Sequence, residues 1–359
     1  MSFVFRVDSS SQIGTGHLMR CLVLAEQLHK ISHDITFIVR SLPGSLENLI
    51  QQKGFDVYQL HNDISSINLD VDWKIDAEET TAFLKAKPKE ISWLIVDHYG
   101  LDYQWELKIR PYIQNLMVID DLANRHHDCD LLLDQNFYNN YEIRYDNLVK
   151  NNCKKMLGLK YVLLREEFRE VKKTLRTRDG NIQQILVFFG GSDPNNQTLK
   201  ALKAIQLINR PNITVNVVVG ESNQHKELVR TFCNQMPNTN FYCQVNNMAD
   251  LIAKADLALA SGGTNTWERC FLELPTVTIE IATNQIESLQ DLGKKGVIIN
   301  LGWHENVNIQ ELSDEIIKLL NNPNLLTQMS SNCKMLNISS SSHLIFESIK
   351  NEIVNMENV

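Results

Sequence analysis

Short apolar runs rich in β-branched residues alternate along this chain with stretches whose apolar positions recur every three to four residues. Phe3-Val4-Phe5-Arg6-Val7 opens the series, and Ile35-Thr36-Phe37-Ile38-Val39 and Val215-Asn216-Val217-Val218-Val219 are of the same type. Continuous apolar runs of this length fit strands covered on both faces. The pattern predicts strands at 3–8, 35–40, 57–60, 93–98, 116–120 and 131–134, then at 185–190, 214–219, 241–244, 256–260, 276–281 and 297–301. Helical spacing fills the gaps. After the first run, Leu18, Cys21, Leu22, Ala25 and Leu28 share one helix face. Such alternation predicts an α/β chain with parallel, doubly wound sheets. The strand pattern pauses near 166–184, where Lys172, Lys173, Arg176, Arg178, Asp179 and Gly180 make the chain polar. Two domains are therefore expected, 1–170 and 181–359. Their ligands should bind in the cleft that the strand C-termini of the two domains face.

Composition narrows the partners. The 359 residues are 43% hydrophobic and 22% charged, as in a soluble globular protein. A net charge of −8 argues against a nucleic-acid binder, which needs a basic face. Seven cysteines lie scattered with no C-x-x-C pair, which reads as reduced thiols in a cytoplasmic protein. The N-terminus has no leader pattern, and the longest apolar runs are too short to span a bilayer, so no membrane insertion is expected.

The strongest chemical signal follows the first run. Ser9-Ser10-Ser11-Gln12-Ile13-Gly14-Thr15-Gly16-His17 is a glycine-bearing turn leading from strand to helix. Glycines let backbone approach a ligand, and a helix N-terminus favours an anion. It is not a dinucleotide fingerprint, since Met19 stands at the third glycine position, and no G-K-[ST] of a P-loop follows. His17 stands at the positive end of the helix dipole, which predicts a neutral imidazole able to take a proton. A capping role is the plainer alternative. A base beside an anion site suggests chemistry on a phosphate-bearing substrate.

The second half has two such turns. Gly190-Gly191-Ser192-Asp193-Pro194 predicts a helix starting at the proline. Ser261-Gly262-Gly263-Thr264-Asn265-Thr266-Trp267-Glu268 opens another helix. Glu268 can stabilise the helix end or accept hydrogen bonds from a ribose diol. Trp267 is a packing residue or a stacking surface. Three glycine turns together suit a nucleotide-sugar: one for a diphosphate, one for a nucleoside, one bringing His17. His126-His127-Asp128-Cys129-Asp130 lacks metal-ligand spacing, so no metal is expected. Asp97 and His98 end one strand. Asp120 and Asp121 end another, where they orient His17 or a water, or cap a loop.

The turn at 9–17, then Asp97-His98-Tyr99-Gly100, Asp120-Asp121 and Leu163-Leu164-Arg165-Glu166-Glu167-Phe168 occur in an order that resembles a known family. That family is the UDP-2,4-diacetamido-2,4,6-trideoxy-β-L-altropyranose hydrolases, nucleotide-sugar hydrolases of pseudaminic acid biosynthesis. In the second half the likeness rests on Gly190-Gly191-Ser192-Asp193, Ser261-Gly262-Gly263, Glu268 and Asn284-Gln285, which are shared with the wider GT-B superfamily. The resemblance implies a GT-B-like α/β fold of two Rossmann-like domains, a sugar-binding catalytic one at 1–170 and a UDP-binding one at 181–359. It implies water attack at the anomeric carbon with release of UDP. His17 would be the base. Gly14, Thr15 and Gly16 would form the substrate loop, with Tyr99, Asn136 and Arg165 near the sugar. Gly190, Gly191, Ser192, Ser261, Gly262, Thr266, Trp267, Glu268 and Asn284 would meet the rest of the substrate, Glu268 touching the uridine ribose. No cofactor is called for, the partner is a small UDP-sugar, and a monomer is the default state. A GT-B glycosyltransferase and a non-catalytic nucleotide-sugar binder stay open as alternatives.

Overall fold

A computed structural model describes residues 1–61, 72–338 and 344–350. It contains two compact units. The first unit takes in Met1–Asn136, Asn140–Leu163 and residues 344–350; the second takes in Phe137–Asn139 and Leu164–Ile338. In chain order the first holds β1 (Phe3–Val7), α1 (Gly16–Leu28), β2 (Ile35–Arg40), α2 (Glu47–Gln52), β3 (Asp56–Leu60), α3 (Trp73–Ala86), β4 (Ile91–Asp97), α4 (Tyr103–Ile109), β5 (Ile113–Ile119), β6 (Leu131–Asp134) and β7 (Lys154–Leu157). The second holds α5 (Glu166–Lys173), β8 (Gln184–Phe188), α6 (Gln197–Ile208), β9 (Thr214–Val219), α7 (Lys226–Gln235), β10 (Thr239–Cys243), α8 (Met248–Lys254), β11 (Leu257–Ser261), α9 (Asn265–Phe271), β12 (Thr276–Glu280), α10 (Ile286–Lys294), β13 (Ile298–Trp303), α11 (Ile309–Leu320) and α12 (Pro323–Met335).

Each unit carries one parallel sheet. The first runs β3-β2-β1-β4-β5-β6-β7 and the second β10-β9-β8-β11-β12-β13. Val4 sits in register between Thr36 and Leu94, and every residue of β1 is buried, as a central strand with helices on both faces requires. Strand order reverses between β1 and β4 in the first sheet and between β8 and β11 in the second. Ligands of doubly wound sheets bind at such switch points. The three glycine turns follow β1, β8 and β11, so the topology puts each of them at one.

Three expectations are corrected. The boundary falls at 163/164 rather than at 170–181, because Phe168 of α5 is buried among Leu186, Met248 and Ala255 of the second unit. Residues 344–350 belong to the first unit, where Ile345 and Ile349 are buried beside Phe3 and Leu24. The helix after Gly190 starts at Gln197, not Pro194. Asn196 is its N-cap, and the Asp193 side chain accepts from the Gln197 and Thr198 amides at 2.9 and 2.8 Å.

Candidate active site

The turn after β1 is braced from within. Ser10 N–H and C=O pair with Gly14, and the Ser10 hydroxyl accepts from the Gln12 and Ile13 amides. Gly14 has φ +85°, which a side-chain-bearing residue adopts only under strain. Thr15 is the N-cap of α1 but gives no side-chain cap, and the first turn holds no acidic residue. The opening amides of a 13-residue helix are thus left to water or an anion.

His17 projects from that end into a polar group assembled by β4 and β5. Its Nδ1 lies 2.5 Å from Asp97 Oδ1. Arg20, one turn later on α1, donates from Nε to Asp97 Oδ2 at 2.6 Å and from an Nη to Oδ1 at 2.7 Å. Its other Nη donates to Asp121 Oδ2 at 3.1 Å, and the Tyr99 hydroxyl donates to Asp121 Oδ1 at 2.6 Å. The Tyr99 ring stands edge-on to the imidazole, centroids 4.5 Å apart. An imidazole nitrogen that close to a carboxylate oxygen must carry the proton, since two lone pairs would repel. In the neutral ring, Nε2 is then the basic nitrogen. Burial opposes ionisation of Asp97, but Arg20 and His17 beside it prevail and hold its carboxyl well below the usual range. Burial and Asp121 push the Tyr99 phenol far up, so it stays a donor.

The neighbouring candidates separate from this group. His98 turns away: its Nε2 meets Asp8 Oδ2 at 3.1 Å and its Nδ1 accepts from the Gly100 amide. Asp120 caps a turn, accepting from the Leu122 and Ala123 amides, while Asp121 belongs to the His17 group. The Asn136 amide donates to Asp134 Oδ1 at 3.0 Å. His127 is buried with its Nδ1 2.6 Å from Glu106, a structural pair, and among the described residues no group of three could hold a metal ion. Sequence reasoning missed Arg20 and the role of Asp97. The signal was available: an arginine three residues after His17, among Leu18, Cys21 and Leu22, has to find a buried carboxylate.

In the second unit the turn after β8 approaches the chain after β9 so closely that a Cβ on Gly220 would lie 2.3 Å from the Gly191 carbonyl oxygen. Gly190 and Gly263 both have φ +94°. Gly262 packs on Gln285 of the Asn284-Gln285 segment, with 3.0 Å left for a Cβ. Glu268 receives Arg165 Nε and Nη2 on Oε1 at 3.1 and 2.9 Å, and the Asn265 side chain on Oε2. Arg165, expected beside Tyr99 and Asn136, therefore sits in the second unit with Glu268. Trp267 and Thr266 are each only 2% exposed, and the Ser261 carbonyl accepts from the buried Arg269. The Trp267 ring packs in the interior, the packing role of the two that the sequence offered. In the turn itself Gly263 is exposed and Gly262 and Thr264 are half-buried.

Residues 185–345 match the glycosyltransferase family 28 C-terminal domain. The chain is 28% identical over 82% of its length to a UDP-2,4-diacetamido-2,4,6-trideoxy-β-L-altropyranose hydrolase of Campylobacter jejuni, covering 97% of that protein. It is also 28% identical to an uncharacterized protein, MJ1062, of Methanocaldococcus jannaschii, covering 82% of this chain but 59% of that one. The crystal structure of Acinetobacter baumannii MurG superposes with a TM-score of 0.64 at 13% identity, over 98% of this chain and 100% of that one. The fold is of the GT-B type, and this chain resembles the UDP-sugar hydrolase along most of its length, while its second half matches the glycosyltransferase family 28 C-terminal domain.

Proposed function

We propose that this chain is a nucleotide-sugar hydrolase that releases UDP by water attack at the anomeric carbon, with inversion. The hydrolase relative and the family 28 domain both support the coarser statement, a GT-B-type enzyme that processes nucleotide-sugars. The relative's substrate, UDP-2,4-diacetamido-2,4,6-trideoxy-β-L-altropyranose, is the first to test, and with it our reading of the reaction as a step of pseudaminic acid synthesis. One observation carries the hydrolytic step: a histidine at an uncapped helix start, with Nδ1 committed to Asp97 at 2.5 Å. Nε2 takes a proton from water as its oxygen bonds to the anomeric carbon, and the carbon–oxygen bond to UDP breaks through an oxocarbenium-like state. Amides at Gly14, Thr15 and Gly16 hold the substrate's anionic part. The second unit holds UDP through the turns at 190–192 and 262–264, with Asn284 and Glu268. Incubation with UDP-sugar in ¹⁸O-water without acceptor tests this. UDP release with label on the sugar's anomeric oxygen supports it, and label in the nucleotide phosphate sinks it. A GT-B glycosyltransferase is the second reading, favoured by the family 28 domain; turnover that requires an acceptor would establish it.

A further inference from the structure

We propose that Arg20 is a positioning residue for this reaction, fixing the Asp97 carboxylate against His17 and setting the charge of the group; this rests on the hydrolase reading. A buried arginine paired with carboxylates is ordinary. Here it shares an oxygen with the imidazole. Asp97 Oδ1 meets His17 Nδ1 at 2.5 Å and an Arg20 Nη at 2.7 Å, while Nε grips Oδ2 at 2.6 Å. This fork sets the carboxylate plane, and the plane sets the direction of the Nδ1–H bond. The same helix carries both residues one turn apart, so base and clamp move together. The remaining Nη reaches Asp121, which also receives Tyr99, whose ring flanks the imidazole. Arg20 and Asp97 are almost wholly excluded from water.

Charge gives the second half of the argument. One guanidinium faces two carboxylates, so with a neutral imidazole the group is one proton short of neutrality. A proton arriving at Nε2 completes it. Arg20 therefore limits the carboxylate group around the neutral imidazole to a single net negative charge.

The test pairs kinetics with a readout that needs no substrate. Protein labelled with ¹⁵N-histidine reports the His17 tautomer directly. Arg20→Lys keeps the charge and loses the fork. The expected result is loss of the ordered Nδ1–H signal and a fall in kcat of roughly 10- to 100-fold with little change in KM. Asp121→Asn, which leaves both Asp97 contacts in place, is expected to give a smaller fall and covers the case in which the lysine variant does not fold. A folded Arg20→Lys enzyme with wild-type kcat and wild-type His17 signal overturns the proposal. So does an Asp121→Asn enzyme indistinguishable from wild type in both readouts when the lysine variant cannot be made. If the wild type turns over no UDP-sugar and Arg20→Lys still loses the tautomer signal, the positioning role stands and the hydrolase reading falls.

Discussion

Arg6 and Asp76 lie 70 positions apart in the chain and meet with neither side chain exposed, Nη2 2.6 Å from Oδ2. Arg6 sits in the central strand β1 and also holds Asp8, while Asp76 additionally receives Arg40 and the Trp105 indole. Removing one partner of such a pair strands a charge in the interior, so Asp76→Ala is expected to cost about 3–5 kcal/mol in urea unfolding. Burial alone would raise the Asp8 and Asp76 carboxyls, but Arg6 beside them holds both below the usual range. A depressed carboxylate stabilises the fold above its unfolded value of about 3.9 and loses that contribution as pH falls toward the folded value. Wild-type stability should accordingly drop below about pH 4. A flat unfolding midpoint from pH 5 to pH 2 would contradict this.

His17→Asn is expected to retain UDP binding by calorimetry and to lose turnover by about 10²–10⁴-fold, the typical cost of a positioned base. Asp97→Asn should lose turnover as well, because an amide can present its N–H to Nδ1 and favour the other tautomer. Near wild-type hydrolysis by His17→Asn would remove the assignment.

Asp134 behaves oppositely to Asp76. Burial, reinforced by Asp121, pushes its carboxyl up to about 8. Geometry agrees: the Tyr145 hydroxyl lies 2.9 Å from Asp120 Oδ2 and 3.2 Å from Asp134 Oδ2, and its single proton can serve only one of them. A protonated Asp134 donates to Tyr145, which donates to Asp120. A raised folded value means stability that is complete below about pH 4 and lost as pH rises through 8. Asp134→Asn mimics the protonated form, so it should match wild type near pH 4 and exceed it by at least about 1 kcal/mol at pH 9. Parallel stability curves for the two proteins would refute the protonated carboxyl.

Arg178 ends two helices with one guanidinium. It donates to the Ile252 and Ala255 carbonyls at the end of α8 and to the Leu272 and Glu273 carbonyls after α9, at 2.7–3.0 Å. Burial lowers its pKa to about 10, still far above neutrality. Replacing it with Met removes this donor from all four carbonyls, of which Ala255 keeps Arg176 and Glu273 keeps the Ser330 hydroxyl, an expected loss of about 2–4 kcal/mol in thermal or urea unfolding. A change under about 0.5 kcal/mol, usual for surface sites, would show that water substitutes freely.

Much of this fold is readable in one dimension because the sheets are parallel and covered on both faces, so each central strand announces itself as an unbroken apolar run. β7 escapes that logic: it is the edge of its sheet, and Lys154 and Lys155 are exposed. The start of α6 was misplaced because Asp193 and Pro194 mimic a helix start, while the actual cap, Asn196, adopts a left-handed conformation that no local pattern foretells. For the site, the glycine turn and His17 stand in one contiguous stretch. Asp97 and Asp121 reach His17 and Arg20 only because β1, β4 and β5 are neighbours in the sheet, a relation set by topology rather than by local sequence. The family resemblance puts Arg165 near the sugar with Tyr99 and Asn136, but the unit boundary passes just before it, and no local pattern marks that boundary.

The return of residues 344–350 to the first unit has a consequence for biogenesis. Ile345 and Ile349 complete a core whose other members, such as Phe5 and Leu28, are made some three hundred residues earlier. During synthesis the first unit must wait, its hydrophobic layer unsealed, while the ribosome produces the whole of the second. A gene split after Leu163 should thus yield a sticky, chaperone-dependent fragment, and supplying the 344–350 segment in trans as a peptide should rescue its solubility.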